Sequence, residues 1–200
     1  FAESFPDGNL HSGSGYASLV EKAHTVNAGS DGLIFLPYLH GERAPLWDAA
    51  ARGVFFGINS LHRKPHFARG VLEGISYALY DVFCELSKQQ DSIKTIYASG
   101  GFVQSNLWVQ MIADIFNKEV VVSNQADASA MGAALLGWYA TAAVKNIQAL
   151  SPPAETGKTF TPDREKHAIY MRHFAVFHAL YRALQEEFPK LQYRTGLYEG

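Results

Sequence analysis

Two adjacent glycines, Gly100 and Gly101, stand between an apolar run, Thr95 to Tyr97, and a helical pattern that starts near Ser105. Paired glycines let a backbone turn sharply and admit a ligand where a Cβ would stand. The helix that follows offers N–H groups without intrahelical partners and a partial positive charge. Strand, Gly-Gly, helix therefore predicts a seat for a nucleotide. A tight turn that only brings a helix onto a sheet answers the same pattern, and the glycines alone do not choose between the two. A dinucleotide fingerprint needs a further glycine, and a lysine-type phosphate loop needs Gly-Lys-Ser/Thr; neither follows.

A second constellation is Glu42-Arg43-Ala44-Pro45-Leu46-Trp47-Asp48, continuing to Ala51-Arg52-Gly53. It sets acids, arginines and a tryptophan between two apolar runs, and such loops often bind ligands. The structural alternative is an ordered hairpin in which Asp48 pairs with Arg52 and Trp47 covers the core. His62 and His66 have the i,i+4 spacing that can share a metal ion, but Pro65 intervenes and no third ligand stands nearby. A capping or surface role is the expectation. His167, His173 and His178 do not share one helical face. There is no nucleophile elbow, metalloprotease motif or cysteine cluster. The one cysteine, Cys84, sits in an apolar helical pattern and is expected to be a buried, inert thiol. A single cysteine excludes an intrachain disulfide and fits a reducing compartment.

The elements that must position these residues follow from periodicity. Ser14 to Val26 reads as a short helix and Gly29 to Gly32 as a turn. Leu33 to Leu39 is a nearly continuous apolar run, expected as a buried strand. Gly53 to Ile58 is a second strand, antiparallel to it. Pro65 suits the first turn of a long helix. Phe67, Val71, Ile75, Leu79, Val82 and Leu86 would form that helix's buried stripe. Ile93 to Ala98 is a strand feeding the glycines. Leu107, Met111, Ile112 and Ile115 mark the core face of the next helix. Glu119 to Val122 is a strand, and Ser129 to Ala143 a helix whose small residues, Ala130, Ala133, Ala134 and Gly137, predict close packing on a neighbour. Ser151-Pro152-Pro153 and Thr161-Pro162 punctuate a loop of about twenty residues, read as a surface arm. Arg164 to Phe188 is a final long helix. Two antiparallel strands ahead of a βαβ-like tail predict an α/β domain with a mixed sheet flanked by helices, actin-like or ribonuclease-H-like rather than doubly wound.

The chain has 200 residues, enough for a full core, and one domain over residues 1–200 is the expectation. Seventeen basic against nineteen acidic residues leave a net charge of −2, so nothing points to nucleic acid or an anionic membrane. No apolar run approaches the roughly 20 residues of a membrane span. Phe1-Ala2-Glu3-Ser4-Phe5 has neither the basic nor the apolar region of a signal peptide, and a cytoplasmic location is expected. The chain opens without methionine and is expected to be part of a longer protein.

Read in order, these segments resemble the C-terminal domain of the FGGY family of carbohydrate kinases. Phe35-Leu36-Pro37-Tyr38-Leu39-His40-Gly41-Glu42-Arg43-Ala44-Pro45-Leu46-Trp47-Asp48 resembles the family's strand and Gly-Glu-Arg-x-Pro-x-Trp loop. Arg52 to Ile58, His66-Phe67 and Leu72-Glu73-Gly74 resemble its second signature, with Gly70 where alanine or serine is usual. Ser99 to Ser105 is similar to its adenosine-binding loop, Gln110 to Asp114 to its Gln-x-x-Ala-Asp, and Ala128 to Leu136 to its small-residue helix, with Met131 in place of leucine. Phe160 to Leu184 resembles its closing arm and helix.

The resemblance implies ATP-dependent phosphorylation of a sugar or polyol hydroxyl with Mg²⁺, by positioning and charge neutralisation. It implies that the catalytic aspartate, the sugar contacts and most magnesium ligands lie in an N-terminal domain outside this chain; Asp48 and Asp114 belong to other motifs. It also implies that the first strands of the domain precede Phe1. One wall of the ATP site is carried over: Gly100 and Gly101 through their backbones, Gln104 and Ser105 beside the adenosine. Glu42 and Arg43 would shape the cleft. Ala44, where xylulose kinases more often have threonine, makes the loop most similar to gluconate kinases. A xylulose kinase, another sugar kinase and a non-catalytic actin-like module are the alternatives. The isolated chain is expected to bind ATP weakly and to lack kinase activity. An open strand edge invites self-association, so a homodimer is among the expected states.

Overall fold

The apolar run beginning at Leu33 is cut short at Pro37, which has no N–H to give a ladder. The strand is therefore three residues long. The computed structural model describes residues 20–88, 93–122, 128–144, 146 and 157–191. In chain order its elements are β1 (Ile34–Leu36), β2 (Val54–Phe56), α1 (Lys64–Ser87), β3 (Thr95–Ala98), α2 (Asn106–Phe116), β4 (Glu119–Val122), α3 (Ala128–Ala140), β5 (Thr159–Phe160) and α4 (Arg164–Leu184). Of the helix expected over Ser14 to Val26, residues 14–19 lie outside the described residues. Two compact units emerge, residues 1–92 with 164–200, and residues 93–163.

In the first unit β1 is buried throughout and pairs antiparallel with β2. Phe35 lies opposite Phe55, with ring centroids 4.4 Å apart. Among the described residues the pair forms a two-stranded sheet. Pro65 occupies the first turn of α1 as expected. His66 Nδ1 accepts from the Arg63 amide at 3.0 Å, and His62 Nδ1 accepts from the Asn59 amide at 3.2 Å. Both histidines thus serve as local caps.

The buried face of α1 is not the apolar stripe expected from the sequence. Leu79 and Leu86 are exposed, while Ala68, Arg69, Gly70, Leu72, Glu73, Gly74, Ser76, Tyr77 and Asp81 are buried. The reason is an ion pair that the helix turns inward. Arg69 Nε donates to Glu73 Oε1 at 2.8 Å. The guanidinium also donates to the Val26 carbonyl and the Tyr170 hydroxyl, each at 2.8 Å. Glu73 accepts from the Gly29 amide and the Ser30 hydroxyl. Burial pushes the Glu73 carboxyl upward, against the pull of Arg69 and of those two donors. Removing one member of such a pair commonly costs about 3–5 kcal/mol, because the other charge is left buried. The cluster ties α1, α4 and the turn before β1 into one core.

Helix α4 closes this core with Tyr170, Phe177, Leu180 and Tyr181. The Phe177 ring meets Tyr77 at 5.5 Å and Tyr38 at 6.0 Å. His178 Nε2 meets the buried Asp81 carboxylate. Cys84 is half-buried rather than buried; burial still pushes its thiol upward, which keeps it protonated and inert.

In the second unit β3 pairs parallel with β4, and β4 pairs antiparallel with β5. The sheet is mixed, as expected. β5 falls inside the stretch read as a loop, since a two-residue strand leaves no periodic trace. Ser151 to Pro153 lie outside the described residues. α2 is nearly all core: Val109, Met111, Ile112, Ala113 and Ile115 are buried, each of the larger ones worth roughly 2 kcal/mol by apolar transfer. It ends at Asn117, in the left-handed region at φ 50°, a common helix stop.

The small-residue helix α3 forms over Ala128–Ala140. A Cβ added at Gly132 or Gly137 would touch nothing. Met131, Leu136, Trp138 and Tyr139 of this helix are exposed.

Candidate functional site

β3 delivers the chain into the glycine turn. Ala98 is buried at the strand end, and Ser99, Gly100 and Gly101 are exposed. Gly100 adopts φ 95°, ψ −173°, a region essentially closed to other residues. One turn of 3-10 helix, Gly101–Gln104, separates the glycines from α2. The glycines therefore do not abut the longer helix directly; α2 begins at Asn106. Ser105 is its N-cap, with Oγ accepting from the Trp108 amide at 3.2 Å. The hydroxyl expected to border a nucleotide thus also holds the helix start. Phe102 packs edge-on against Trp108 at 5.7 Å, and Gln104 is exposed.

The two glycines differ in what demands them. Gly100 is required by its φ. Gly101 has no left-handed φ, and a Cβ there would meet no atom within 4 Å. Contrast Gly41, at φ 78°, where a Cβ would meet the Ala49 backbone at 2.9 Å. Among the described residues, neither conformation nor protein packing explains Gly101. What its missing side chain leaves is open space beside a backbone, the shape needed for close approach of a ligand.

A ladder of polar contacts fixes α2 behind this turn. Asn106, Gln110 and Asp114 stand four residues apart and share one face. Lys158 Nζ donates to Asn106 Oδ1 at 3.0 Å. Gln110 Nε2 donates to the Thr161 carbonyl at 2.8 Å and to Asp114 Oδ1 at 2.7 Å. Asp114 Oδ1 also accepts from the Asp163 amide at 2.9 Å. Asp114 is buried, so the carboxylate holds the arm to the helix and is not open to a substrate.

The loop carrying Glu42 and Arg43 belongs to the first compact unit. Glu42 and Asp48 exchange both backbone hydrogen bonds, at 2.8 and 2.9 Å. The Glu42 carboxylate accepts from the Arg43 amide at 2.8 Å, so Glu42 shapes its own turn. The Arg43 side chain is exposed. The loop is ordered: Asp48 Oδ1 accepts from the amides of Ala50 and Ala51, and Oδ2 accepts from the Tyr181 hydroxyl. Arg52 donates to the carbonyls of Ala49 and Ala51. Trp47, which the hairpin alternative would set over the core, is 78% exposed.

The structure therefore gathers Gly100, Gly101, Gln104 and Ser105 on one turn and sets Glu42 and Arg43 on another unit's loop. Sequence reasoning missed Lys158 and Tyr181. Lys158 lay in a stretch read as loop, and Tyr181 was taken only as an apolar position of a helix stripe. Among the described residues, no group of three or more His, Cys, Asp or Glu side chains is placed to hold a metal ion.

Residues 7–141 match the family model described as the FGGY family of carbohydrate kinases, C-terminal domain. The chain is 41% identical over 184 residues to a gluconokinase of Bacillus subtilis, covering 91% of this chain and 36% of that protein. Among solved structures it is similar to a xylulose kinase from Lactobacillus acidophilus, with a TM-score of 0.81 at 34% identity, covering 96% of this chain and 37% of that one. A gluconate kinase from the same organism gives a TM-score of 0.79 at 36% identity, covering 88% of this chain and 36% of that one. The chain thus spans about a third of the length of the curated relatives it matches.

Proposed function

Because this chain belongs to the FGGY family of carbohydrate kinases and has the family's actin-like α/β fold, we propose that residues 1–200 form one C-terminal nucleotide-binding domain, the half of the enzyme that seats ATP. In the complete protein, ATP would give its γ-phosphate to a hydroxyl of a sugar acid, gluconate. The carrying observation is Gly101, a glycine that neither its φ nor its neighbours among the described residues require. An ATP backbone laid against Gly100 and Gly101, with Gln104 and Ser105 along the nucleoside, explains the open space.

In this reading the domain's own contribution is to bind and orient. The turn is pre-formed: Gly100 fixes its path, and Ser105 fixes the helix behind it, so little ordering remains when ATP arrives. Asp48 and Asp114 are committed to protein groups, and neither is assigned as base. Proton acceptance and sugar contacts are assigned to the N-terminal part of the complete protein. The described residues do not offer a ligand set that fits magnesium. No helix of the described residues is long and apolar enough to cross a membrane; a cytoplasmic enzyme, with ATP and the sugar acid as partners and self-association as a further state, completes the proposal.

Gluconate is favoured by the Gly41-to-Trp47 loop with Ala44, and by the 41% identity to a gluconokinase. Xylulose is the second reading, favoured by the TM-score of 0.81 to a xylulose kinase. Steady-state assays of the complete protein on gluconate, xylulose and other sugars with ATP test the choice. The expected result is the highest kcat/KM on gluconate. A preference for xylulose would replace the substrate, and no phosphorylation of any sugar with retained ATP binding would favour a non-catalytic module.

A further inference from the structure

The ladder between α2 and the arm has two inner rungs and one outer rung that differ in kind. Gln110 with Thr161 and Asp114 with Asp163 are contacts of a carboxamide and a carboxylate to backbone. The outer rung, Lys158 with Asn106, uses an exposed ammonium. Among the described residues, Lys158 Nζ meets the Asn106 side chain and lies 4.7 Å from the centroid of the Phe160 ring. No carboxylate of the described residues pairs with it. An ammonium has three donors, so two are without a protein acceptor among the described residues.

Register places this cation. Ala98 lies opposite Val122 across the parallel pair, and the Val122 amide donates to the Lys158 carbonyl at 2.9 Å. Ala98, Val122 and Lys158 therefore form one row across the carboxyl end of the parallel strands. Ligands of open α/β sheets bind beyond that end. Lys158 starts two strands from β3, roughly 10 Å away, and its side chain leans back to Asn106, next in sequence to Ser105. Through Asn106 it is tied to the end of the turn at which Gln104 and Ser105 lie.

We infer that Lys158 is a further nucleotide-contacting residue, donating to an acceptor on the nucleoside end of ATP while Asn106 Oδ1 accepts another of its N–H groups. The inference rests on the proposed ATP seat and adds a residue to it from a different part of the chain. Phe160 and Asn106 pre-orient the ammonium, so binding need not immobilise a free lysine side chain.

Calorimetric titration of the complete protein with adenosine, ADP and ATP tests it, using Lys158→Met, Lys158→Arg and Gln110→Ala. Lys158→Met is expected to weaken all three ligands roughly tenfold, the scale of one hydrogen bond from a charged group. Lys158→Arg should restore most of that loss. Gln110→Ala, which removes an inner rung, should lower the melting temperature and leave adenosine affinity within about twofold, a difference of only some 0.4 kcal/mol. Unchanged affinities in Lys158→Met would overturn the inference, as would a loss confined to ADP and ATP, or an equal loss of adenosine affinity in Gln110→Ala. If the wild-type protein binds none of the three ligands, it is the ATP seat itself that falls.

Discussion

The Tyr181 hydroxyl donates to Asp48 Oδ2 at 2.9 Å, joining the C-terminal helix to the loop that carries Glu42 and Arg43. The other Asp48 oxygen holds the amides of Ala50 and Ala51, so one carboxylate organises the whole return of the loop. Tyr181→Phe keeps the ring against Tyr38, 5.7 Å away, and removes only the hydrogen bond. The expected loss is about 1–2 kcal/mol of unfolding free energy, as for a bond to a charged acceptor. Denaturant titration measures it. A loss below a few tenths of a kcal/mol would mean that solvent replaces the phenol at Asp48 without cost.

The same bond gives alkaline stability a defined sign. Burial, then the hydrogen bond and charge of Asp48, push the Tyr181 hydroxyl up to about 12 from 10.0. Burial, with Cys84 beside it, pushes Tyr80 up to about 12 as well. Tyr38 and Tyr77 are pushed up further by burial. A folded-state value above the unfolded one favours the fold fully below the unfolded value and loses that contribution as pH rises through the folded one. These tyrosines should therefore support stability up to about pH 10; Tyr181 and Tyr80 withdraw that support between there and about pH 12, and Tyr38 and Tyr77 go on withdrawing theirs above it. Unfolding free energies across this window should fall, less steeply in Tyr181→Phe. Phenolate absorbance of all ten tyrosines appearing near pH 10 in the folded protein would contradict this.

Two glycines of α1, one helical turn apart, should respond oppositely to alanine. A Cβ at Gly74 would stand 2.2 Å from the Phe35 carbonyl oxygen, which belongs to β1 and cannot move without breaking the strand. Gly74→Ala is expected to cost about 2–3 kcal/mol, at the upper side of overpacking. At Gly70 the nearest atom is Leu33 Cδ2 at 3.6 Å, an ordinary contact. Gly70→Ala should stabilise by about 0.5–1 kcal/mol through helix propensity. Thermal melts of the two variants decide it, and destabilisation by Gly70→Ala would mean that the contact to Leu33 is already full.

Much of this architecture was legible from local pattern. β4 and the start of α1 coincide with the sequence reading, because β-branched runs and a proline at a helix start act over a few residues. The inward face of α1 was not legible. Arg69 and Glu73 look like a solvated i,i+4 pair until Tyr170 and the Val26 carbonyl are brought to them from elsewhere in the chain. The Tyr181–Asp48 bond spans 133 residues, and no spacing rule reaches that far. β5 is invisible for the opposite reason, being shorter than any period. At the candidate site, the turn itself was legible from Gly100 and Gly101, whereas the ladder that fixes it depends on tertiary placement of the arm.

The glycine turn offers a test in which folding and binding separate. Gly101 has open space where a Cβ would go and lacks a left-handed φ, so Gly101→Val should leave the melting temperature within a degree or two, about the effect of a few tenths of a kcal/mol. The same branched side chain would occupy the place assigned to the ATP backbone. In the complete protein the KM for ATP is expected to rise by about tenfold or more, equivalent to at least 1.4 kcal/mol of lost binding, with the KM for the sugar little changed. Gly101→Ala, with a single methyl, should fall between. An unchanged KM for ATP in Gly101→Val, at unchanged stability, would leave the turn as a device for setting α2 on the sheet and remove the nucleotide from it.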